Sequence, residues 1–224
     1  MKTAEEKKEA TKKYMTRKPE SYNLGRTIWQ WIVTKFWYGM SYRFIYRLEV
    51  YGKENIPKTN NYIVVANHLS TLDPPLLPHI LPNPVSFMAK RELFEIPMLR
   101  WMLDWLGAFA VDRENVGSST IRTAKSICQS KNWVLGIFPQ GTREPAGKIT
   151  RVTKGFASIA KSTKCNILPV GILGTDKPKK FPFTGKIIVK IGKIIENSGD
   201  VDKMFNEWIT SIQELTGFEY APQE

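Results

Sequence analysis

Short apolar runs recur along the chain, at 62–66, 85–89, 108–111, 133–138, 167–173 and 187–191. Several are rich in Val and Ile and are bounded by Gly, Pro or Asn, which is how strands of a sheet read. Between them, at 74–81, 92–106, 119–130, 152–162 and 201–215, lie stretches of helical character. Strands alternating with helices predict an α/β fold in which a mixed sheet is flanked by helices. No repeat, low-complexity segment or linker divides residues 49–224, so they are expected to form a single domain.

The pattern changes at 23–48. Trp29, Trp31, Phe36, Trp37, Tyr38, Tyr42, Phe44 and Tyr46 are interleaved there with Arg26, Lys35, Arg43 and Arg47. A helix is expected, with Gly39 as a place where it could break into two. Two destinations fit such a segment: the headgroup layer of a membrane, where an amphipathic ring meets both water and acyl chains, or the protein's own core. Lys35, Arg43 and Arg47 interrupt the apolar run, which is therefore too charged to cross a bilayer. The expectation is an amphipathic helical anchor at 23–48, lying on the membrane. Residues 1–22 are polar and charge-mixed, carry no signal-peptide pattern, and are expected to be a flexible or loosely helical tail.

Charge sharpens the picture only in part. The formal net charge is +12 and the isoelectric point about 9.6, which implies attraction to nucleic acid, acidic lipid, a phosphorylated substrate or an acidic protein. Cys128 and Cys165 are the only cysteines. They are too few for a disulfide framework, nothing resembles a zinc ligand set, and a reducing compartment is expected.

Only two histidines are present, His68 and His79. His68 directly follows the run at 62–66, and residues just past strand ends face the crevices where α/β proteins bind ligands. Asp73, five residues on, precedes Pro74. One of its oxygens could cap a helix while the other accepts the His68 ring N–H, leaving the second ring nitrogen free as a base. The same spacing also describes a plain loop followed by a capped helix. His79 sits among apolar residues without a nearby acid and reads as structural.

A second candidate is the sequence Phe138-Pro139-Gln140-Gly141-Thr142-Arg143, again after a predicted strand. Gly141 permits a close backbone approach or positive φ, Thr142 offers a hydroxyl, and Arg143 presents a planar fork that matches phosphate. Lys90, Arg113 and Lys154 could join it. No Gly-x-Ser-x-Gly elbow, Walker loop or Gly-x-Gly-x-x-Gly fingerprint is present, and both cysteines read as core residues. With no obvious covalent nucleophile, direct transfer to a hydroxyl activated by His68 fits better.

These residues resemble the 1-acyl-glycerol-3-phosphate acyltransferases, a family of glycerolipid acyltransferases. The family's Asn-His-x4-Asp motif is matched by Asn67-His68-Leu69-Ser70-Thr71-Leu72-Asp73. Lys90-Arg91-Glu92-Leu93 and the span from Gly107 to Arg113 match a second block, Phe138 to Arg143 a third, and Leu168-Pro169-Val170 a fourth. The blocks stand in family order over roughly residues 60–175.

The resemblance implies transfer of a fatty acyl group from acyl-coenzyme A or acyl carrier protein to lysophosphatidic acid, at the cytoplasmic face of a membrane, by a peripheral or monotopic enzyme. It implies His68 as base, Asp73 as its partner, and Arg143, Arg113 and Lys90 around the substrate phosphate, with Gln140, Gly141 and Thr142 in the substrate site and backbone N–H groups near Gly141 as oxyanion donors. No metal, cofactor or nucleic acid is expected. Gln140 departs from the family, which has Glu at that place, and the departure points at acceptor choice. Two alternatives stay open: an acyltransferase for a different lysolipid, and a non-catalytic basic protein that binds membrane or nucleic acid.

Overall fold

The computed structural model describes residues 11–112, 117–176 and 186–222. The strands are β1 (Glu49–Tyr51), β2 (Tyr62–Ala66), β3 (Val85–Lys90), β4 (Phe109–Val111), β5 (Val134–Ile137), β6 (Lys148–Ile149), β7 (Asn166–Leu173), β8 (Ile188–Ile191) and β9 (Glu219–Tyr220). Seven of them make one sheet in the order β1-β8-β7-β2-β5-β3-β4, while β6 and β9 pair apart from it. From β7 to β4 every neighbouring pair is parallel. β8 runs antiparallel to β7 and parallel to β1, which makes the sheet mixed, as the alternation of runs predicts.

β2 lies at the centre and all of its residues are buried. Ile63 and Val65 enter one apolar cluster with Trp133, Leu135 and Trp208, whereas Tyr62, Val64 and Ala66 enter another with Tyr42, Leu76 and Leu77. A strand covered on both faces needs no polar side, so its sequence is continuously apolar.

The helices are α1 (Leu24–Trp31), α2 (Gly39–Phe44), α3 (Asp73–Ile80), α4 (Pro97–Trp105), α5 (Ser118–Cys128), α6 (Gly155–Thr163) and α7 (Val201–Thr216). α7 starts where the Asp200 carboxylate accepts the N–H groups of Asp202 and Lys203, and it stops at Gly217 with φ 73°. The helix expected over 92–106 begins only at Pro97, after a 3-10 turn (Arg91–Glu95). Pro97 disfavours helical geometry in Ile96 before it while suiting the first helical position itself.

The N-terminal region shows which face of the segment at 23–48 packs on the rest of the protein. α1 passes through a π-helical stretch (Ile32–Tyr38) into α2 without leaving right-handed helical geometry. Its inward stripe carries Gln30, Thr34 and Tyr42, all buried. Gln30 donates to the carbonyls of Val85 (2.7 Å) and Leu106 (2.8 Å) and accepts the Val85 N–H (2.8 Å). Lys35 donates to the carbonyls of His79 and Leu81, and the His79 ring donates to Thr34 O (3.0 Å). Leu24, Ile28, Trp31, Phe36, Trp37, Met40 and Phe44 face outward and are exposed. Gln30, Lys35 and the Thr34 carbonyl dock the helix through hydrogen bonds, and Tyr42 docks it through an apolar cluster with Leu76 and Leu77.

Residues 11–22 are not a free tail either. Arg17 is buried, pairs with Asp104 (2.6 Å) and donates to Ala108 O (2.6 Å), and Tyr14 stacks on Phe94. The arginine's fork reaches partners that the charge pattern of the segment does not reveal.

Gly39 does not break the helix. Its φ of −59° is ordinary helix, and a Cβ there would lie 2.9 Å from His79 Cε1. Gly39→Val should therefore push α2 off α3 and destabilise the protein by about 1–3 kcal/mol, the usual cost of overpacking. Calorimetry would check this. The same substitution in a His79→Ala background should cost clearly less, and equal losses would refute the contact as the cause.

Candidate active site

β7, β2 and β5 are adjacent and parallel, so the segments leaving their C-terminal ends converge on one edge of the sheet. His68 follows β2, Phe138 to Arg143 follow β5, and Thr175 follows β7. Asn67 secures the crossing point. Its side chain donates to Ile172 O (2.8 Å) and accepts the Ile172 N–H (2.7 Å), continuing the β2–β7 ladder beyond the last strand residue. The sequence marks Asn67 only as part of a motif and does not show this role.

His68 Nδ1 lies 2.8 Å from Asp73 Oδ2. The same oxygen accepts the N–H groups of Leu69 and Ser70, each at 2.7 Å, while Oδ1 accepts the Thr175 hydroxyl at 2.6 Å. Asp73 is fully buried, and every one of these neighbours is a donor to it. An acceptor-only carboxylate fixes the His68 tautomer with the proton on Nδ1. Nε2 then carries a lone pair and makes no hydrogen bond among the described residues. The ring is held from one face by Phe138, stacked with centroids 4.2 Å apart, and Phe138 in turn stacks on Phe87.

The expected division of labour within Asp73 is different in one respect. It does not cap α3 but is its first residue, and its oxygens face the loop before it. Pro74 and Pro75 have no N–H to be capped. Thr175, which holds Oδ1, carried no signal in the sequence; it lies 102 residues from Asp73 and is brought there by the β2–β7 pairing.

The turn after β5 is built around Gly141, whose φ is +67°. The Gly141 N–H closes the turn on Phe138 O at 3.1 Å, so that N–H is already engaged. Thr142 and Arg143 are exposed, and Arg143 has no ion pair among the described residues. Thr142 borders an open cleft of about 610 Å³ that Lys148, Thr150 and Arg151 also line. Lys90, at the end of β3, is exposed and 3.8 Å from Glu92. Arg113 lies outside the described residues. Lys154 pairs with Asp202 (2.5 Å) near the start of α7.

Gln140 is placed differently from the substrate contact that the motif suggests. It is 5% exposed. Its oxygen accepts the His68 backbone N–H at 2.6 Å, and its nitrogen donates to Glu144 Oε2 at 2.7 Å. Both ends of this buried amide are engaged by the protein, by His68 on one side and Glu144 on the other. His79, the other histidine, packs on Tyr42 and Gly39, and burial lowers its pKa from the ordinary imidazole value. This agrees with a structural role.

Comparisons place these features among known proteins. The sequence pattern of the Acyltransferase family matches residues 47–173. The 1-acyl-sn-glycerol-3-phosphate acyltransferase of Bacillus subtilis is 33% identical over 147 residues, covering 65% of this chain and 72% of that protein. The Borreliella burgdorferi protein of the same name is 33% identical over 131 residues, covering 58% of this chain and 52% of its own length. This chain thus spans about half of one relative and nearly three quarters of the other. The crystal structure of the 1-acyl-sn-glycerophosphate acyltransferase PlsC from Thermotoga maritima is similar with a TM-score of 0.62 and 30% identity, over 82% of this chain and 78% of that one.

Proposed function

Since the chain belongs to the Acyltransferase family, we propose that it transfers a fatty acyl group from an acyl thioester to the free hydroxyl of lysophosphatidic acid, giving phosphatidic acid, with His68 as general base. One observation carries this reading: His68 is bonded through Nδ1 to a buried Asp73 while its side chain keeps 15% exposure, which leaves Nε2 for a substrate.

The chemistry follows from that arrangement. Nε2 removes the proton of the acceptor hydroxyl as its oxygen attacks the thioester carbonyl carbon. Asp73 steadies the imidazolium that forms. Collapse of the tetrahedral adduct breaks the carbon–sulfur bond, and His68 returns its proton to the departing thiolate, so the products are ester and thiol. Because the Gly141 N–H is engaged, the Thr142 and Arg143 N–H groups are the better candidates to face the oxyanion. No metal or bound cofactor enters the scheme. The donor is acyl-coenzyme A or acyl carrier protein.

Arg143 is assigned to the acceptor phosphate because it is exposed on the turn beside His68 and is unpaired among the described residues. Arg143→Ala should raise KM for lysophosphatidic acid by about 10-fold or more, the loss of one charge-assisted contact. Arg143→Lys should recover only part of this, because it lacks the bidentate fork. Unchanged kinetics in both variants would remove Arg143 from the site. The reading as a whole is tested by mass spectrometry of products from purified protein given both donors and mixed lysolipids. Phosphatidic acid is the expected product; acylation of every lysolipid except lysophosphatidic acid would overturn the assignment.

We also place the protein on the cytoplasmic membrane surface. No helix among the described residues is long and apolar enough to cross a bilayer. Support comes from the outward stripe of α1, the π-helical stretch and α2, which α4 extends. Met98 is 83% exposed, Trp101 and Trp105 are also exposed, and both tryptophans touch Trp29. Arg43, Arg47 and Arg100 lie among these residues in sequence and suit anionic headgroups. The Tyr42 hydroxyl donates to Leu72 O at 2.8 Å, so this surface connects to the residue before Asp73.

A further inference from the structure

His68 is tied to the Arg143 turn through its backbone as well as its ring. Its N–H donates to Gln140 Oε1 (2.6 Å), and its carbonyl accepts the Glu144 N–H (2.9 Å). Gln140 and Glu144 are joined to each other by the 2.7 Å bond from Gln140 Nε2 to Glu144 Oε2. The Glu144 carboxylate is 8% exposed. It also accepts Thr150 N–H (2.9 Å), the Thr150 hydroxyl (3.1 Å) and Arg151 N–H (3.1 Å). Every proton it needs comes from a neighbour.

This geometry sets a requirement on position 140. The side chain must accept a proton from His68 on one side and donate one to Glu144 on the other. A glutamine does both. A glutamate in the same place can accept from His68, but it sets a second carboxylate against Glu144 with no donor between them. Two carboxylates in that contact cannot both be ionised and must share a proton.

We infer that Gln140 and Glu144 form one coupled unit that positions the catalytic histidine, and that the identity of residue 140 is dictated by residue 144, not by the acceptor. The inference rests on the proposed role of His68 as base. Gln140 and Glu144 are positioning residues, since neither is placed to touch the reacting atoms. The rest of the unit is Thr150 and Arg151, which carry the clamp from the β5 turn to the segment after β6.

The experiment compares wild type, Gln140→Glu and the exchanged pair Gln140→Glu/Glu144→Gln. The exchange restores one donor between the two side chains with the roles reversed, while setting the amide nitrogen at 144 against the Thr150 N–H that the carboxylate accepts in the wild type. Transfer to lysophosphatidic acid is measured with both donors across about pH 6 to 8.5, a window in which a shared carboxyl proton can be lost. Gln140→Glu should lower kcat by about 10- to 100-fold at the alkaline end with KM little changed, and recover partly as the pH falls, as expected for a pair that needs one proton. The exchanged pair should recover part of the kcat lost in Gln140→Glu and lose that pH dependence, as coupled residues do.

A second readout does not require activity. The chain has two histidines, so protein labelled only in histidine nitrogen gives two backbone amide signals. The His68 amide signal should move in Gln140→Glu and move back in the exchanged pair. Wild-type kcat with an unmoved His68 amide in Gln140→Glu would overturn the inference, and so would an exchanged pair no better than the single variant. A wild-type protein that acylates no lysolipid would sink the reading of the function instead. The His68 amide would then decide the clamp alone, a fixed signal overturning it and a restored one supporting it.

Discussion

His68→Ala should reduce acyl transfer by about 10³-fold or more while the protein remains folded, because it deletes the proposed general base. The side chain is held at the surface of the site by one hydrogen bond and one ring stack. His79 cannot substitute, since it lies in the last turn of α3, away from Asp73, where its ring donates to Thr34 O and packs against Tyr42. Asp73→Asn should behave differently. Four donors converge on the carboxylate: His68 Nδ1, Leu69 N–H, Ser70 N–H and the Thr175 hydroxyl. An amide has a single oxygen and sets its own N–H groups against those donors, so this variant should lose about 10²-fold in kcat and also some stability. Turnover and thermal denaturation measured on both variants separate the two effects. Wild-type turnover in a folded His68→Ala protein would refute the proposed mechanism.

The second large effect is expected at the outward stripe. Exchanging Trp31, Trp37, Met98 and Trp101 together for serine should weaken binding to anionic vesicles by about 10²-fold or more, since each buried aromatic or Met side chain contributes about 1.5–3 kcal/mol of transfer energy. All four are exposed, so the melting temperature should fall only by the loss of the Trp101 contacts with Trp29 and Trp105. Turnover on acceptor dispersed in detergent should be kept, and turnover on acceptor in bilayers should fall with the binding. Vesicle sedimentation of variant and wild type provides the measurement. Equal sedimentation would remove this surface from membrane contact. Deleting residues 1–48 is the poorer experiment, because it also strips Gln30 and Tyr42 from the core they close.

How much of this was legible depends on how local each feature is. The strand before His68 and the pairing of His68 with Asp73 are written within a dozen residues, and both could be read. So could the central sheet, since runs such as 62–66 and 167–173 are too apolar to lie anywhere but between layers. Strands β1, β6 and β9 were not read, being two or three residues long and defined by what they pair with. Thr175 and Asn67 act across the β2–β7 ladder, and a ladder partner 102 or 105 residues away leaves no local mark. Gln140 was visible as a departure, but its bond to Glu144 was not, because only the turn geometry brings the two side chains together. The aromatic residues of 23–48 could be read as an outward face, but the inward face could not, because Gln30 and Thr34 are polar and their partners lie far along the chain.

The docking of that helix has a consequence for an enzyme proposed to sit on lipid. A bilayer is a good solvent for tryptophan and leucine, so an element attached to its domain by such contacts can be dissolved away from it. The grip of Gln30 on Val85 and Leu106, and of Lys35 on the carbonyls ending α3, is of another kind. Hydrocarbon has no donors or acceptors to trade for those bonds, and breaking them there would leave bare polar groups. The inward side of the helix therefore keeps bonds to the protein that hydrocarbon cannot replace.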